Sequence, residues 1–545
     1  MQLATKILIC SVVGLVGTVM MSFILFEPMV RFGIRDQTAL RKRNEMRSIY
    51  LKIPFPLTFN IYFFNVTNPE EVTKGAKPKL QEVGPYSYDE WVSKVDVVDN
   101  NVEDTLTYSP LNQFFYNENK TGKGFSQDDI VTVLHPVIVG AVITASETSP
   151  ALLPILAKAI KSIFREPETM YLTDKVRNIL FDGMVVNCSV SDFAGKAVCS
   201  QLKSQLPGLT EVEKNIFKFS LLGPRNDTLG PRTKIKRGIQ NSKDLGRLVE
   251  FGGKKELDLY DSKECNRFHG TDGWIFPPGL SRSEGIWTFS GDLCRNVQAK
   301  FIEPKPFKGV PTDYYEGDLG DQQNDPDEKC YCPTPKTCLK KGLYDLTKCM
   351  GVPIVASLPH FLKADESLLE GVEGVSPNAS VHSLAIFFER TLGTPTKAAK
   401  RIQFNFQIKP NPKVTVMNNV PEVVHPFLWL EETVELEGAL LKKVQMVFIL
   451  KKANSYLRWV ILLACLGGMG FSGYLYYQNK DKGTITPIHM INKIMGNTKE
   501  TEVKDFNSEA SSARSDASRK SDKTHYDNPA FISDRGLALA DRAKF

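Results

Sequence analysis

The chain has 545 residues, of which 42% are hydrophobic, 24% charged and 10% aromatic, and its net charge is +6. That composition excludes a wholly disordered chain, a collagen-like fibre and a transporter made mostly of spans. A charge of +6 over 61.1 kDa leaves no electrostatic footprint for nucleic acid, and a mean hydropathy of −0.21 is that of an ordinary globular protein.

The average conceals a segregation that begins at the N-terminus. After a short segment, 1–6, residues Ile7 to Phe26 form 20 uncharged positions between Lys6 and Glu27. A spanning helix needs about 20 apolar residues. The run exceeds a signal-peptide core of about 7–15 residues, and no A-x-A-like cleavage site follows it. It reads as an uncleaved anchor.

Residues 27–458 form one large domain. Leu57, Phe59, Ile61 and Phe63 alternate along a half-buried strand, as do residues 401–408. Aromatic and β-branched runs recur through 286–302 and 380–389. With Pro and Gly punctuating these runs, the domain reads as mostly antiparallel β structure. A helical pair interrupts it. Ser149-Pro150 reads as an N-cap with proline at the first helical position. Leu152, Leu156, Ala159, Ile160 and Ile163 then recur at helical spacing, with Lys158, Lys161 and Arg165 between them and Pro154 as a kink. A second helix is expected from Asp174 to Asp182, closed by Gly183. Plain core packing accounts for such a pair, yet a surface both apolar and cationic also suits amphiphiles or an acidic partner, and Lys158 and Lys161 are the candidate contacts for a polar head. The basic run Arg232, Lys234, Lys236 and Arg237 reads as a solvated strand or turn.

Helical spacing returns from Glu437 to Leu457 and runs into a second uncharged stretch, Trp459 to Tyr477. Trp459, Tyr474, Tyr476 and Tyr477 stand where aromatic belts form. Glycines 467, 468, 470 and 473 suit close packing between membrane helices, with Gly14 and Thr18 as the matching small residues. The tail, 478–545, is expected to be disordered. In it Asn528-Pro529-Ala530-Phe531, after Tyr526-Asp527, could dock an endocytic adaptor.

Sequons and cysteines orient the chain. Acceptors for N-glycosylation occur at Asn65, Asn119, Asn187, Asn226 and Asn378, all between the spans. Eight of ten cysteines lie there too, and the other two, Cys10 and Cys465, lie inside the spans. The middle is therefore expected outside the cell in an oxidising setting, with both termini cytosolic. Cys330, Cys332, Cys338 and Cys349 could suggest zinc, but no second close pair completes a set, and disulfides suit the compartment better. Eight cysteines allow 105 connectivities, among which spacing does not choose.

No catalytic constellation is present. There is no nucleophile elbow, no H-E-x-x-H and no P-loop, and the G-x-G-x-x-G at 468–473 lies inside a span, away from any strand and solvent. No cofactor or metal is expected.

Several long motifs carry a resemblance. Phe64-Asn65-Val66-Thr67-Asn68-Pro69-Glu70-Glu71-Val72, Glu82-Val83-Gly84-Pro85-Tyr86, Gly270-Thr271-Asp272-Gly273 and Leu358-Pro359-His360-Phe361 resemble the class B scavenger receptor family. The segments 187–199 and 348–350 are most similar to its insect sensory neuron membrane protein branch. The resemblance implies a β-barrel-like ectodomain with an apical helical bundle and an internal hydrophobic tunnel. It also implies disulfides Cys265 to Cys330, Cys294 to Cys349 and Cys332 to Cys338. Cys188 and Cys199 are left over, with a short loop that permits a mutual bond and does not require one. The function implied is a non-enzymatic olfactory co-receptor in the plasma membrane of a sensory dendrite. It would take up a long-chain lipid or pheromone and pass it to an odorant receptor channel. The rival readings are a scavenger receptor for lipoproteins or fatty acids and a two-span ligand-gated channel.

Overall fold

The computed structural model describes residues 2–206 and 208–480, so the expected adaptor motif at 528–531 lies outside the described residues. Helices of spanning length stand at both ends, Gln2–Thr38 and Gly438–Lys480. Their apolar side chains face outward: Val13 and Leu463 are each about two-thirds exposed. Where the helices touch, small residues allow the approach. A Cβ on Gly14 would lie 2.9 Å from the Cys465 sulfur, Gly468 faces Ser11, and the Ser472 hydroxyl donates to the Ala4 carbonyl at 2.7 Å. Gly467 and Gly470, expected to pack likewise, have open space where a methyl group would stand and face away from the first helix. Toward the sheet Phe23 meets Trp459 edge-on at 6.1 Å, and the Arg458 guanidinium lies 4.6 Å from the Phe23 ring.

Between these helices an antiparallel sheet runs through eleven neighbouring strands, from Leu248–Phe251 at one edge to Ile286–Ser290 at the other. Its centre is the trio Leu57–Val66, Val423–Glu435 and Thr394–Ile408, paired over long registers such as Ile61 with Leu430 and Ile402 with Leu430. Alternation along Leu57–Val66 places Leu57, Phe59, Ile61 and Phe63 in the interior, where Phe63 meets Tyr86 and Phe427. The two sheet edges are bridged by residues 270–272. Thr271 N–H donates to the Trp287 carbonyl at 3.1 Å and its carbonyl accepts from Phe289, while Leu248 donates to Gly270 and Asp272 to Gly246. Three residues thus nearly close the sheet into a barrel. Gly270 has φ +84°, and a Cβ there would collide with the Trp287 carbonyl, so glycine is required.

The strand Val423–Glu435 leads directly into Gly438–Lys480, which makes that end of the sheet the base. There Asp272 accepts from the hydroxyls of Tyr50 (2.6 Å) and Tyr108 (2.8 Å). Beside it the Lys94 ammonium is fully enclosed. It donates to the Tyr50 carbonyl at 2.9 Å and lies 4.1 and 4.7 Å from the Tyr50 and Trp274 rings. Burial lowers its pKa to about 8, opposed by the Asp272 charge. Nearby, Arg47 binds Asp99 through two bonds of 2.8 and 2.9 Å. Arg237 reaches Asp99 and Asp104, each at 3.3 Å. The basic run is therefore not solvated throughout: Arg237 is buried, and Lys234 pairs with Glu250 at 2.7 Å. Acidic partners more than a hundred residues upstream draw Arg237 into the structure.

Candidate functional site

The far end of the sheet, at the turn between Thr394–Ile408 and Val423–Glu435, carries the helical cap. Asn411 Nδ2 there donates to Ser146 Oγ at 3.0 Å. The cap helix Leu153–Ile163 buries Leu153, Leu156, Ala159, Ile160 and Ile163, the stripe that 3.6-residue periodicity selects. It is shorter than the expected 149–165. Pro150–Leu152 forms a separate 3-10 turn, and Ser149 makes no side-chain cap. Pro154 sits in the first turn, where its missing N–H costs no bond, so it starts the helix rather than kinking it. Lys158 and Lys161 project from the opposite face, exposed and without an ion-pair partner among the described residues. Leu152, in the turn before the helix, is half exposed.

The helix Phe193–Gln205 packs across this one. The Asp192 carboxylate caps it by accepting from Gly195 N–H at 2.8 Å. A Cβ on Gly195 would lie 2.7 Å from Ser162 Oγ, so a glycine lets the two helices meet. The third cap helix, Pro136–Thr148, is absent from the sequence expectations. Pro136 starts it, Val137 is buried, and Ile138, Val139 and Val142 enter the main core. His135 Nδ1 accepts from Ile138 N–H at 3.4 Å at its start, and complete burial lowers the His135 pKa to about 4. The expected helix 174–182 forms over 176–182 and is closed by Gly183, and only its first two residues, Asp174 and Lys175, are strand. Tyr171–Lys175 pairs with Ile130–Leu134 in the register Asp174 with Val131, and a helical turn begins only at Val176. Pairing with a strand about forty residues upstream outweighs the local helical spacing.

Four disulfides are present: Cys188–Cys199, Cys265–Cys330, Cys294–Cys349 and Cys332–Cys338, with Cα separations of 5.8, 6.3, 5.6 and 4.5 Å. The first ties the strand end at Asn187 to the cap helix Phe193–Gln205. The sequon asparagines are scattered. Asn119 lies in an exposed turn, and Asn65 and Asn187 lie in strands. Asn226 Oδ1 accepts from Phe114 N–H, and Asn378 caps the short helix Ala379–His382.

One cluster escapes the sequence reading. On a face shared by the cross-strand neighbours Tyr62, Trp429 and Gln403 lie Glu82, His360 and His382. Glu82 accepts from Trp429 Nε1 at 2.7 Å and from His360 Nε2 at 2.5 Å. The two imidazoles stack 4.3 Å apart, and Tyr62 stacks on Trp429 at 3.8 Å. His360 N–H donates to Gln403 Oε1 at 2.6 Å, which holds His360 at φ +53°. The three ligand-type atoms lie within 4.8 Å of one another, a spacing that a metal ion could use. Hydrogen-bond polarity opposes that use. A metal-bound neutral imidazole carries its proton on the far nitrogen and donates it. Here the Nδ1 atoms of His360 and His382 both accept, from Ser376 N–H (2.9 Å) and Asn378 N–H (3.0 Å). Each Nε2 therefore carries the hydrogen and offers no lone pair. The motifs Glu82-Val83-Gly84-Pro85-Tyr86 and Leu358-Pro359-His360-Phe361 each hold one member of the cluster, without indicating a role or a connection.

Apolar helices of spanning length at both ends, a nearly closed disulfide-bonded sheet and a helical cap define a membrane receptor. Residues 8–476 match the model of the CD36 family, and the chain belongs to that family. It is similar to sensory neuron membrane protein 1 of Apis mellifera, 40% identical over 479 residues that make up 87% of this chain and 92% of that protein. The proteins of the same name from Ostrinia nubilalis and Anopheles gambiae are 39% and 36% identical. They cover 86% and 88% of this chain and 89% of their own lengths.

Proposed function

We propose that this chain is a non-enzymatic lipid receptor of sensory neurons. It captures lipid-derived odorants or pheromones at the helical cap and passes them through a hydrophobic tunnel in the ectodomain to an odorant receptor channel. The observation that carries this reading is the pair Lys158 and Lys161. These are two exposed cations with no ion-pair partner among the described residues, on a helix whose other face is used for packing. Two free ammonium groups suit a polar or anionic head. An aliphatic chain gains about 0.8 kcal/mol per CH₂ removed from water, so capture needs no catalytic group. The name those relatives carry places them in sensory neuron membranes, which supports the same setting here. Both termini are cytosolic in this reading, the sequon-bearing body is extracellular, and the motif at 528–531 serves internalisation.

Exchanging both lysines for glutamate tests it. Ligand-evoked firing of neurons carrying the variant should fall while surface expression holds, and an unchanged response overturns the assignment. Membership of the CD36 family supports a second reading, lipid uptake as a scavenger receptor. Location separates the two: the sensory reading requires the protein in sensilla and lost pheromone responses on deletion, the scavenger reading staining in gut or fat tissue alone.

A further inference from the structure

We propose that Glu82, His360 and His382 form a proton-operated latch, in which protonation of His382 releases the turn 374–383 from the face of the sheet. The turn is exposed from Ser376 to Val381. It is pinned at one end by the Glu373 N–H bond to Pro78 and its carbonyl bond from Leu80. At the other end it passes into the strand Leu384–Glu389. Between these ends two bonds tie it to the rest of the domain, Ser376 N–H to His360 Nδ1 and Arg401 Nη1 to the Ser383 carbonyl, and a third, Asn378 N–H to His382 Nδ1, folds the turn around the buried His382 ring, which stacks on His360 and meets Trp429 edge-on.

Two of those three depend on an unprotonated Nδ1. The neutral imidazoles carry hydrogen on Nε2, so an added proton must go to Nδ1, where a backbone N–H already points. An acceptor becomes a donor facing a donor, and the bond is lost. The charged groups around the pair do not remove this conflict. Glu82, from the strand Leu80–Asn100, favours the imidazolium form, and Arg401, from Thr394–Ile408, opposes it. Arg401 is itself held by Glu431 of Val423–Glu435 at 2.7 Å, and Tyr62 of Leu57–Val66 contributes only a neutral phenol whose pKa is raised by burial. Burial is the largest influence on His382 and lowers its pKa to about 4.

Release returns the imidazole to water, where its ordinary pKa is about 6.5. Protons therefore bind the released state first. Between pH 7.5 and pH 5 the ratio of released to latched turn rises about 30-fold through His382 alone. A receptor carried from the cell surface into an acidified compartment crosses this window. Release would uncover Trp429, which the His382 ring now covers.

Hydrogen exchange on the full chain in lipid nanodiscs, corrected for the intrinsic effect of pH, tests the latch. The peptide spanning 374–383 should lose at least about 30-fold of its protection between pH 7.5 and 5, with the strand Leu57–Val66 unaffected. His360→Asn with His382→Asn places a side-chain oxygen near each Nδ1 position and does not titrate, so protection should be equal at both pH values. Unchanged protection in the wild-type chain overturns the proposal, and so does a pH-dependent loss that persists in the folded double variant. If the double variant does not fold, His382→Asn alone is read against the same two outcomes.

Discussion

Lysines at the two ends of the ectodomain show opposite uses of the same side chain. At the base Lys94 is enclosed by Tyr50, Tyr108 and Trp274, its pKa drawn down to about 8 by burial. At the cap Lys158 and Lys161 are exposed and have no ion-pair partner among the described residues. The fastenings differ as well. Buried charges hold the base together, with Arg47 and Arg237 on Asp99 and two tyrosine hydroxyls on Asp272. A disulfide and a close glycine contact hold the cap. A charge buried at the base is architecture, because removing its partner leaves it unsatisfied in a low dielectric. A charge exposed at the cap is free to meet a ligand, because folding does not depend on it.

Asp272→Ala should break the base most severely. It takes the carboxylate acceptor from the Tyr50 and Tyr108 hydroxyls, removes a negative charge that acts on Lys94 and disturbs the segment that joins the sheet edges. A loss of about 3–5 kcal/mol is expected, seen as a lower melting midpoint of the solubilised full chain. Asp272→Asn, which still accepts from both tyrosines, should cost less, and equal melting for all three chains would mean the base is not pinned there. Replacing Cys188 and Cys199 together by alanine should act only on the cap. Closing a loop of sequence separation 11 stabilises by about 3 kcal/mol in the chain-entropy account. Limited proteolysis should then cut within 188–205 before any strand of the main sheet, and simultaneous loss of both would show that cap and sheet unfold as one unit.

Which of these features the amino-acid order reveals depends on how local their causes are. The apolar end helices, the alternating strands at 57–63 and 401–408 and the stripe of Leu153–Ile163 are written in consecutive residues, and the structure places elements there. Helix Pro136–Thr148 opens as an apolar run of Val, Ile and Ala without charged residues, so it has no periodicity to read, and its type is settled by packing. The strand Tyr171–Lys175 exists because Ile130–Leu134 lies beside it. Arg237 reads as solvated because its partners Asp99 and Asp104 lie about 130 residues or more away in the chain. Glu82 and His360 are 278 residues apart, so no spacing rule could have joined them.

Acid should weaken the cap end through a smaller and graded effect. His135 in the cap and His425, whose Nε2 lies 3.1 Å from the Tyr171 hydroxyl, are both fully buried with pKa values lowered to about 4. A folded pKa below the unfolded value of about 6.5 means that the unfolded chain binds protons first as pH falls. Stability is complete above about pH 6.5 and declines toward pH 4, by about 2 kcal/mol per histidine at pH 5. For His135 the proton would meet Ile138 N–H and the positive end of helix Pro136–Thr148, so the cap should fray first. Denaturant midpoints at pH 7.5 and 5 check the slope. His425→Gln, if folded, should flatten it, and a slope unchanged by that exchange would remove His425 from the account.

The double exchange Lys158→Glu with Lys161→Glu should have the least effect on stability. Neither side chain is buried or ion-paired among the described residues, so the melting midpoint should move by no more than the equivalent of about 0.5 kcal/mol. The consequence should appear only in ligand response, where two repelling carboxylates replace two attracting cations. Because both positions are exposed, attraction to a charged head should weaken as salt rises toward a Debye length of about 3 Å at 1 M. Lys158→Gln with Lys161→Gln, which removes charge without reversing it, should fall between the wild-type and glutamate chains. A glutamate variant that melts early would place these lysines with Lys94 as architecture and dissolve the contrast between cap and base. One that melts normally and responds less would confine their role to the exposed surface.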